Sequence, residues 1–417
     1  MIHITDIIYL IAEKLLQQED FYQGALDVIA LSKAHPSWQP VLGRLDFRHL
    51  LNNENKYSCS NGYNYAEYII KMSEFFTNGS HDKPLHLQPT ELLINVGALY
   101  DSQASEDKLS EFNFAVAQLL QRCPNINHIT LLFGVSEQHD DHLHHHLAAT
   151  FHTLSIWKSQ LELLTLRYSG SEKFSLFDDA QKFIERIKVP EIELDGPFGP
   201  DIKLFSAIDR NPFVHNLAIR NSDISTLLHL GMLWHKLKKI NVDALEPTAL
   251  LWVPFIVMVG STPSELTELS YQELTDNDLP TVKSSFENLQ YMPKLHPNLT
   301  VLKIHNIHFL GDEFLWSAWN HLSQLEHLNI TYSDALTGDN SILDKGKGWK
   351  KLKTLNLTGC HHLGTSFPLL VIDMTQCRDF TLTLPSHVNI AQHLISRGFL
   401  SRPSKSSSQQ EWVRLGQ

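Results

Sequence analysis

The residues best suited by type and spacing to do chemistry are histidines. In the stretch EQHDDHLHHH, His139, His142 and His146 fall on one face if the segment is helical, with Asp140, Asp141, His144 and His145 beside them. Imidazoles one helical turn apart can hold zinc or nickel. Nothing else in the sequence supplies a defined ligand set around them, so the stretch reads as a solvated histidine-rich loop leading into a helix. No metal and no cofactor is expected. The cysteines, Cys59, Cys123, Cys360 and Cys377, are few, widely spread and without a CxxC pair, which argues against a disulfide framework or a structural zinc site. GSEKF and DGPFGPD are turns rather than phosphate loops, and no dinucleotide, P-loop or nucleophile-elbow motif is present. The sequence therefore gives no argument for an enzyme.

Bulk properties narrow the partners. The chain has 417 residues, 42% of them hydrophobic, and a net charge of -12. That acidity disfavours a general affinity for nucleic acid or an anionic membrane. The apolar opening MIHITDIIYLIAEKLL lacks a basic leader and is interrupted by Asp6, Glu13 and Lys14. LLWVPFIVMVG, Leu250 to Gly260, is too short to span a bilayer. The expected compartment is the cytoplasm or the nucleus, with the Asn-x-Ser/Thr sites at Asn78, Asn298, Asn329 and Asn356 unused.

The elements that position any site follow from a repeated apolar frame. In WKKLKTLNLTGC, Leu352, Leu355 and Leu357 stand at places 1, 4 and 6, and Cys360 at place 9. The same frame recurs at Ile126/Ile129/Leu131, Leu161/Leu164/Leu166, Val189/Ile192/Leu194, Val214/Leu217/Ile219 and Leu237/Ile240/Val242. It continues at Leu266/Leu269/Tyr271, Leu299/Leu302/Ile304, Leu325/Leu328/Ile330 and Leu369/Ile372/Met374. The middle residues, 129, 164, 192, 217, 240, 269, 302, 328, 355 and 372, are mostly spaced near the leucine-rich-repeat period of roughly 20–29 residues. The last step, 355 to 372, is short and suggests a C-terminal cap.

Alternate residues of a strand face inward, and one strand with a return helix cannot bury its apolar side alone; stacking the repeats does so. DKLSEFNFAVAQLLQRCPN, LFDDAQKFIERI and GDEFLWSAWNHL read as return helices. The fold class is thus α/β: a leucine-rich-repeat solenoid, with parallel strands on the concave face and helices outside. Residues alternating with the buried leucines should line that face: Arg167, Arg220, Lys239, Asn241, Asp243, Glu268, Lys303, His305, His327, Asn329, Thr354 and Asn356. Their mixed, polar character suits a protein substrate.

The repeats LEHLNITYSDALTGD and LKTLNLTGCHHLGTSF, with the junction LLQRCPNINHITL, resemble the cysteine-containing leucine-rich repeats of F-box proteins. The N-terminus resembles a fungal-type F-box: Asp6 takes the acidic place, and Ile7, Ile8, Ile11 and Leu15 fill the apolar helix. Ser32, Lys33 and Trp38 match the middle of the motif, and Leu42, Arg44 and Leu45 its end. This resemblance implies docking of a Skp-type adaptor, and through it a cullin, on Ile7, Ile8, Ile11, Leu15, Trp38 and Leu42. It implies a substrate-recognition subunit of a ubiquitin ligase. The alternative is a leucine-rich-repeat scaffold whose N-terminal helices only cap the array. The expected organisation is an F-box-like motif over 1–50, and a linker with the helical start of the array over 51–119. Repeats and their cap follow over 120–400, and a polar, disordered tail over 401–417.

Overall fold

A computed structural model describes residues 4–16, 24, 27–28, 30–31, 51, 62–78, 89–101, 106–134, 141–170, 174–199, 201–222, 233, 235–244, 265–273, 292–339, 348–403 and 408–414. The chain divides into two compact units. One comprises Met1–Pro197 with Ser206–Val214, the other Phe198–Phe205 with His215–Gln417. No described helix is long and apolar enough to cross a membrane.

In the first unit, strands β1 (Glu91–Asn95), β2 (His128–Phe133), β3 (Leu163–Tyr168) and β4 (Glu191–Asp195) lie side by side in chain order. All are parallel, and the register pairs Leu92, Ile129, Leu164 and Ile192 in one row. These are the fourth places of the apolar frame, preceded by one strand that the frame search did not find. β1 carries Pro89 at the first place, so the pattern is broken there although Leu92 and Ile94 are fully buried.

The expected helices follow their apolar spacing. In α1 (Ile4–Leu16), Ile8 and Ala12 are buried one turn apart. α2 (Gly62–Asn78) buries Tyr65, Ile69 and Met72. α3 (Glu106–Arg122) buries Leu109, Phe112, Val116 and Leu119 and stops two residues before Pro124, which cannot continue a helix. α4 (Asp141–Trp157) and α5 (Asp178–Arg186) complete the layer, with α2 against α3, α3 against α4 and α4 against α5. The free edge of β1 does not stay open. Leu93 N donates to Leu51 O at 2.9 Å. The Tyr65 hydroxyl donates to Leu93 O at 2.8 Å and accepts from Asn95 N at 3.1 Å.

In the second unit, β5 (Asn216–Ser222), β6 (Lys239–Ala244), β7 (Glu268–Glu273), β8 (Val301–His305), β9 (His327–Thr331), β10 (Thr354–Asn356) and β11 (Phe380–Pro385) form a parallel row. Leu217, Ile240, Leu269, Leu302, Leu328, Leu355 and Leu382 share one register line. The frame at Ile372 is not a strand. Ser366–Met374 is a helix, and the partner of Leu355 is Leu382, 27 residues on (355 to 382), a full repeat step. Leucine spacing alone could not separate the two, because Asp379 occupies the first place of the true strand while SFPLLVIDM is apolar enough to fit either period.

Beyond β11 the direction reverses. β12 (Phe399–Arg402) and β13 (Gln409–Arg414) are antiparallel, in the order β11-β13-β12. Residues 409–414, expected to lie in a disordered tail, therefore form a strand inserted between β11 and β12. Their serine-rich approach hid Trp412 and Val413, both buried. α6 (Asp312–His321) and α7 (Ser366–Met374) enclose an aromatic cluster: the rings of Trp319 and Trp349 are 5.2 Å apart, and Phe367 lies 6.1 Å and 5.8 Å from them. The polar ninth place works where it is polar. Ser333 Oγ bonds the carbonyls of Ile307 (2.7 Å) and Leu310 (2.9 Å) in the preceding turn, and the Cys360 thiol reaches Ile330 O at 3.6 Å.

Candidate functional site

Strand alternation turns every second side chain away from the leucine row. In the second unit this builds a polar face from residues that neighbouring strands hold in register. Of the expected face residues, Arg220, Lys239, Asp243, Lys303, His305, His327, Asn329, Thr354 and Asn356 belong to this unit, while Arg167 belongs to the other. Arg167 Nε donates to Asp195 Oδ2 at 2.7 Å on the adjoining strand of the first unit.

Glu268 is the electrostatic centre of the second unit's face. It accepts from Lys239 at 3.1 Å and from Lys303 at 3.5 Å. Burial alone would raise its carboxyl, but the hydrogen-bonded Lys239 and Lys303 ammoniums outweigh that and hold it below the usual carboxylate range. Arg220 reaches Asp243 at 3.3 Å, yet burial wins there and Asp243 stands above the usual range. Two histidines pair across strands. His327 Nδ1 and Thr354 Oγ1 share a hydrogen bond of 2.8 Å, and His305 Nδ1 bonds Thr331 Oγ1. Burial lowers the His305 pKa, which favours the neutral ring. Asn356 Oδ1 accepts from the amide and hydroxyl of Thr358, at 3.0 Å and 2.6 Å. Asn329, between Lys303 and Asn356 in register, has a buried Oδ1 with no hydrogen-bond partner.

One residue of this face escaped the sequence reading. In five repeats the eighth place of the frame turns the chain out of the strand with positive φ: Gly196 (φ 121), Asn221 (φ 48), Asn306 (φ 60), Tyr332 (φ 55) and Gly359 (φ 74). Glycine and asparagine tolerate this conformation; for a bulky side chain it is an outlier costing roughly 1–3 kcal/mol. Tyr332 is nevertheless 45% exposed. Its ring meets His305 edge-on at 5.2 Å. It also lies over Gly359, where a Cβ would come within 2.5 Å of the ring. No clear signal stood in the sequence: the eighth place holds glycine or asparagine in four repeats but also Phe133, Tyr168 and Ala244, so the backbone conformation alone singles Tyr332 out.

The remaining candidates separate. Within α1, Ile8 is buried, Leu15 half-buried, and Leu10 and Ile11 exposed (55% and 46%). The apolar face expected to be shared by Ile8 and Ile11 is thus divided between an inward and an outward side. Ile7 lies in the helix, with its side chain outside the described residues; Trp38 and Leu42 lie outside them altogether. His142 and His144 to His146 fall in α4, their side chains undescribed, and His139 lies outside the described residues. Among the described residues no group of three or more His, Cys, Asp or Glu could hold a metal. Cys123 and Cys360 are buried, and burial pushes the Cys360 thiol up to about 11, which suits packing rather than nucleophilic attack. No family model matches this chain, and no curated protein matches it.

Proposed function

We propose that the chain is the substrate-recognition subunit of a Skp–cullin–F-box ubiquitin ligase: a leucine-rich-repeat array that does no bond chemistry itself. The observation that supports this most is the polar sheet face of the second unit, where Lys303, Asn329 and Asn356 stand in register beside exposed Tyr332. Such a face recognises a protein by many modest contacts around an aromatic anchor. At the other end of the chain, the F-box resemblance gives α1 its role. Exposed Leu10 and Ile11 would contact the adaptor while Ile8 and Ala12 hold the helix to its own protein. Binding at both places raises the effective concentration of substrate near the ligase. The second reading, a repeat scaffold without a ubiquitin role, is favoured by the inward turn of Ile8, which is what a capping helix needs.

Capture of a purified Skp-type adaptor tests the choice. The variant is Leu10→Asp with Ile11→Asp, since Ile8→Asp would place a charge in the core. The expected result is capture by the wild type and its loss in a double variant whose circular dichroism is unchanged. A folded wild type that captures no adaptor overturns the ligase reading and leaves the scaffold.

A further inference from the structure

We propose that the second unit's sheet face, from β7 to β10, binds an acidic peptide segment with Tyr332 as its anchor. This rests on the protein-recognition reading above and gives the recognised segment a chemistry.

Charge supports the acidic partner. The charged residues at the outward places of β5 to β10 are three cations, Arg220, Lys239 and Lys303, and two carboxylates, Asp243 and Glu268. These places thus carry one more cation than carboxylate, on a chain whose net charge is -12. The excess is local. Lys239 and Lys303 share the single carboxylate of Glu268. From β8 to β10 the outward places hold Val301, Lys303, His305, His327, Asn329, Thr331, Thr354 and Asn356, without a carboxylate. An acidic side chain arriving over β8 meets Lys303, whose one carboxylate partner, Glu268 on β7, is shared with Lys239, and meets no carboxylate at the outward places from β8 to β10.

Tyr332 supplies the anchor. Every other positive-φ residue at its place in the frame is glycine or asparagine. The packing preserves the strained exception: Gly359 leaves room beneath the ring and His305 meets it edge-on. An exposed aromatic held in one orientation loses little freedom when a partner covers it, the property of interface anchors.

The test is an array of short extended peptides, graded from acidic through neutral to basic. It is probed with full-length wild type, Tyr332→Asn and Lys303→Glu. The expected result is wild-type binding concentrated on Asp- and Glu-rich spots. For the best spot remeasured in solution, Tyr332→Asn should weaken binding by about 30-fold. Lys303→Glu should move the preference away from acidic spots. Because asparagine is the residue used at this turn in two other repeats, Tyr332→Asn should melt no lower than the wild type. Binding without acidic preference, no binding on the array, or acidic binding that survives Tyr332→Asn overturns the proposal. Adaptor capture by the same preparations keeps the two readings apart. Capture without acidic-peptide binding sinks only this inference, and acidic-peptide binding without capture sinks only the ligase.

Discussion

The two units use one strand frame and dress its outward side differently. In the first, Leu93, Thr130 and Thr165 occupy the place between the two core residues of β1, β2 and β3, and all three are buried. In the second, the same place on β6 to β10 holds Asn241, Ser270, Lys303, Asn329 and Asn356, none of them buried. The inward leucines are interchangeable between units because they answer only to burial. The outward residues answer to whatever covers or meets them: the place is covered on β1 to β3 and uncovered on β6 to β10, while Glu193 of β4 is not buried and Ala218 of β5 is.

The largest expected effect breaks the comparison most directly. Leu93→Lys should cost roughly 3–5 kcal/mol, since it places an unpaired charge where no solvent reaches. Ser270→Lys, at the matching place of β7, should stay within about 0.5 kcal/mol of the wild type. Urea unfolding midpoints at unchanged slope decide it, and equal losses would show that the two faces are not different.

Acid should then find the second unit. His296, following the short helical turn Met292–Leu295, is buried, and desolvation lowers its pKa to about 4. The unfolded chain binds that proton near the ordinary value of about 6.5, so the folded state has the lower pKa. Stability from keeping this ring neutral is full above about pH 6.5 and declines as pH falls towards 4, by about 3 kcal/mol. His296→Leu removes the titrating group. Wild type and variant should diverge over that window in denaturant midpoint, and parallel curves would show that the burial is not maintained.

How far the sequence anticipated this contrast depends on which side of the strand is considered. Leucine spacing located nine of the ten expected frame positions on strands, from Ile129 to Leu355, because burial imposes the same apolar types on every repeat. It failed at Ile372, where a buried helix is as apolar as a strand, and at β1, where Pro89 breaks the frame. It also gave no sign that 409–414 would pair with β11, since antiparallel closure needs no leucine frame. On the outward side, alternation identified Lys303, His327 and Asn356 by position. It could not tell that Thr130 is buried and Asn329 is not, because exposure there depends on distant segments. Tyr332 stands outside the alternation, one residue past the strand, and only its backbone conformation reveals it. For α1, helical spacing found the apolar residues but not which of Ile8 and Ile11 turns inward.

The smallest effect sharpens the comparison by using one ion-pair arrangement twice. Arg167 and Asp195 sit on adjoining strands of the first unit, with side-chain exposures of 24% and 12% at 2.7 Å. Arg220 and Asp243 repeat the arrangement in the second unit, at 45% and 19% and 3.3 Å. Water screens the second pair more, and there burial raises the Asp243 carboxyl further than the neighbouring guanidinium lowers it. Double-mutant cycles to alanine should therefore give about 1 kcal/mol of coupling for Arg167 with Asp195, and well under that for Arg220 with Asp243. In Arg220→Ala the Asp243 pKa should rise further, which carboxyl titration by NMR would follow. If the exposed pair proved the more strongly coupled, the second unit's face would be a tightly paired structural surface, with its arginine committed rather than available to a partner.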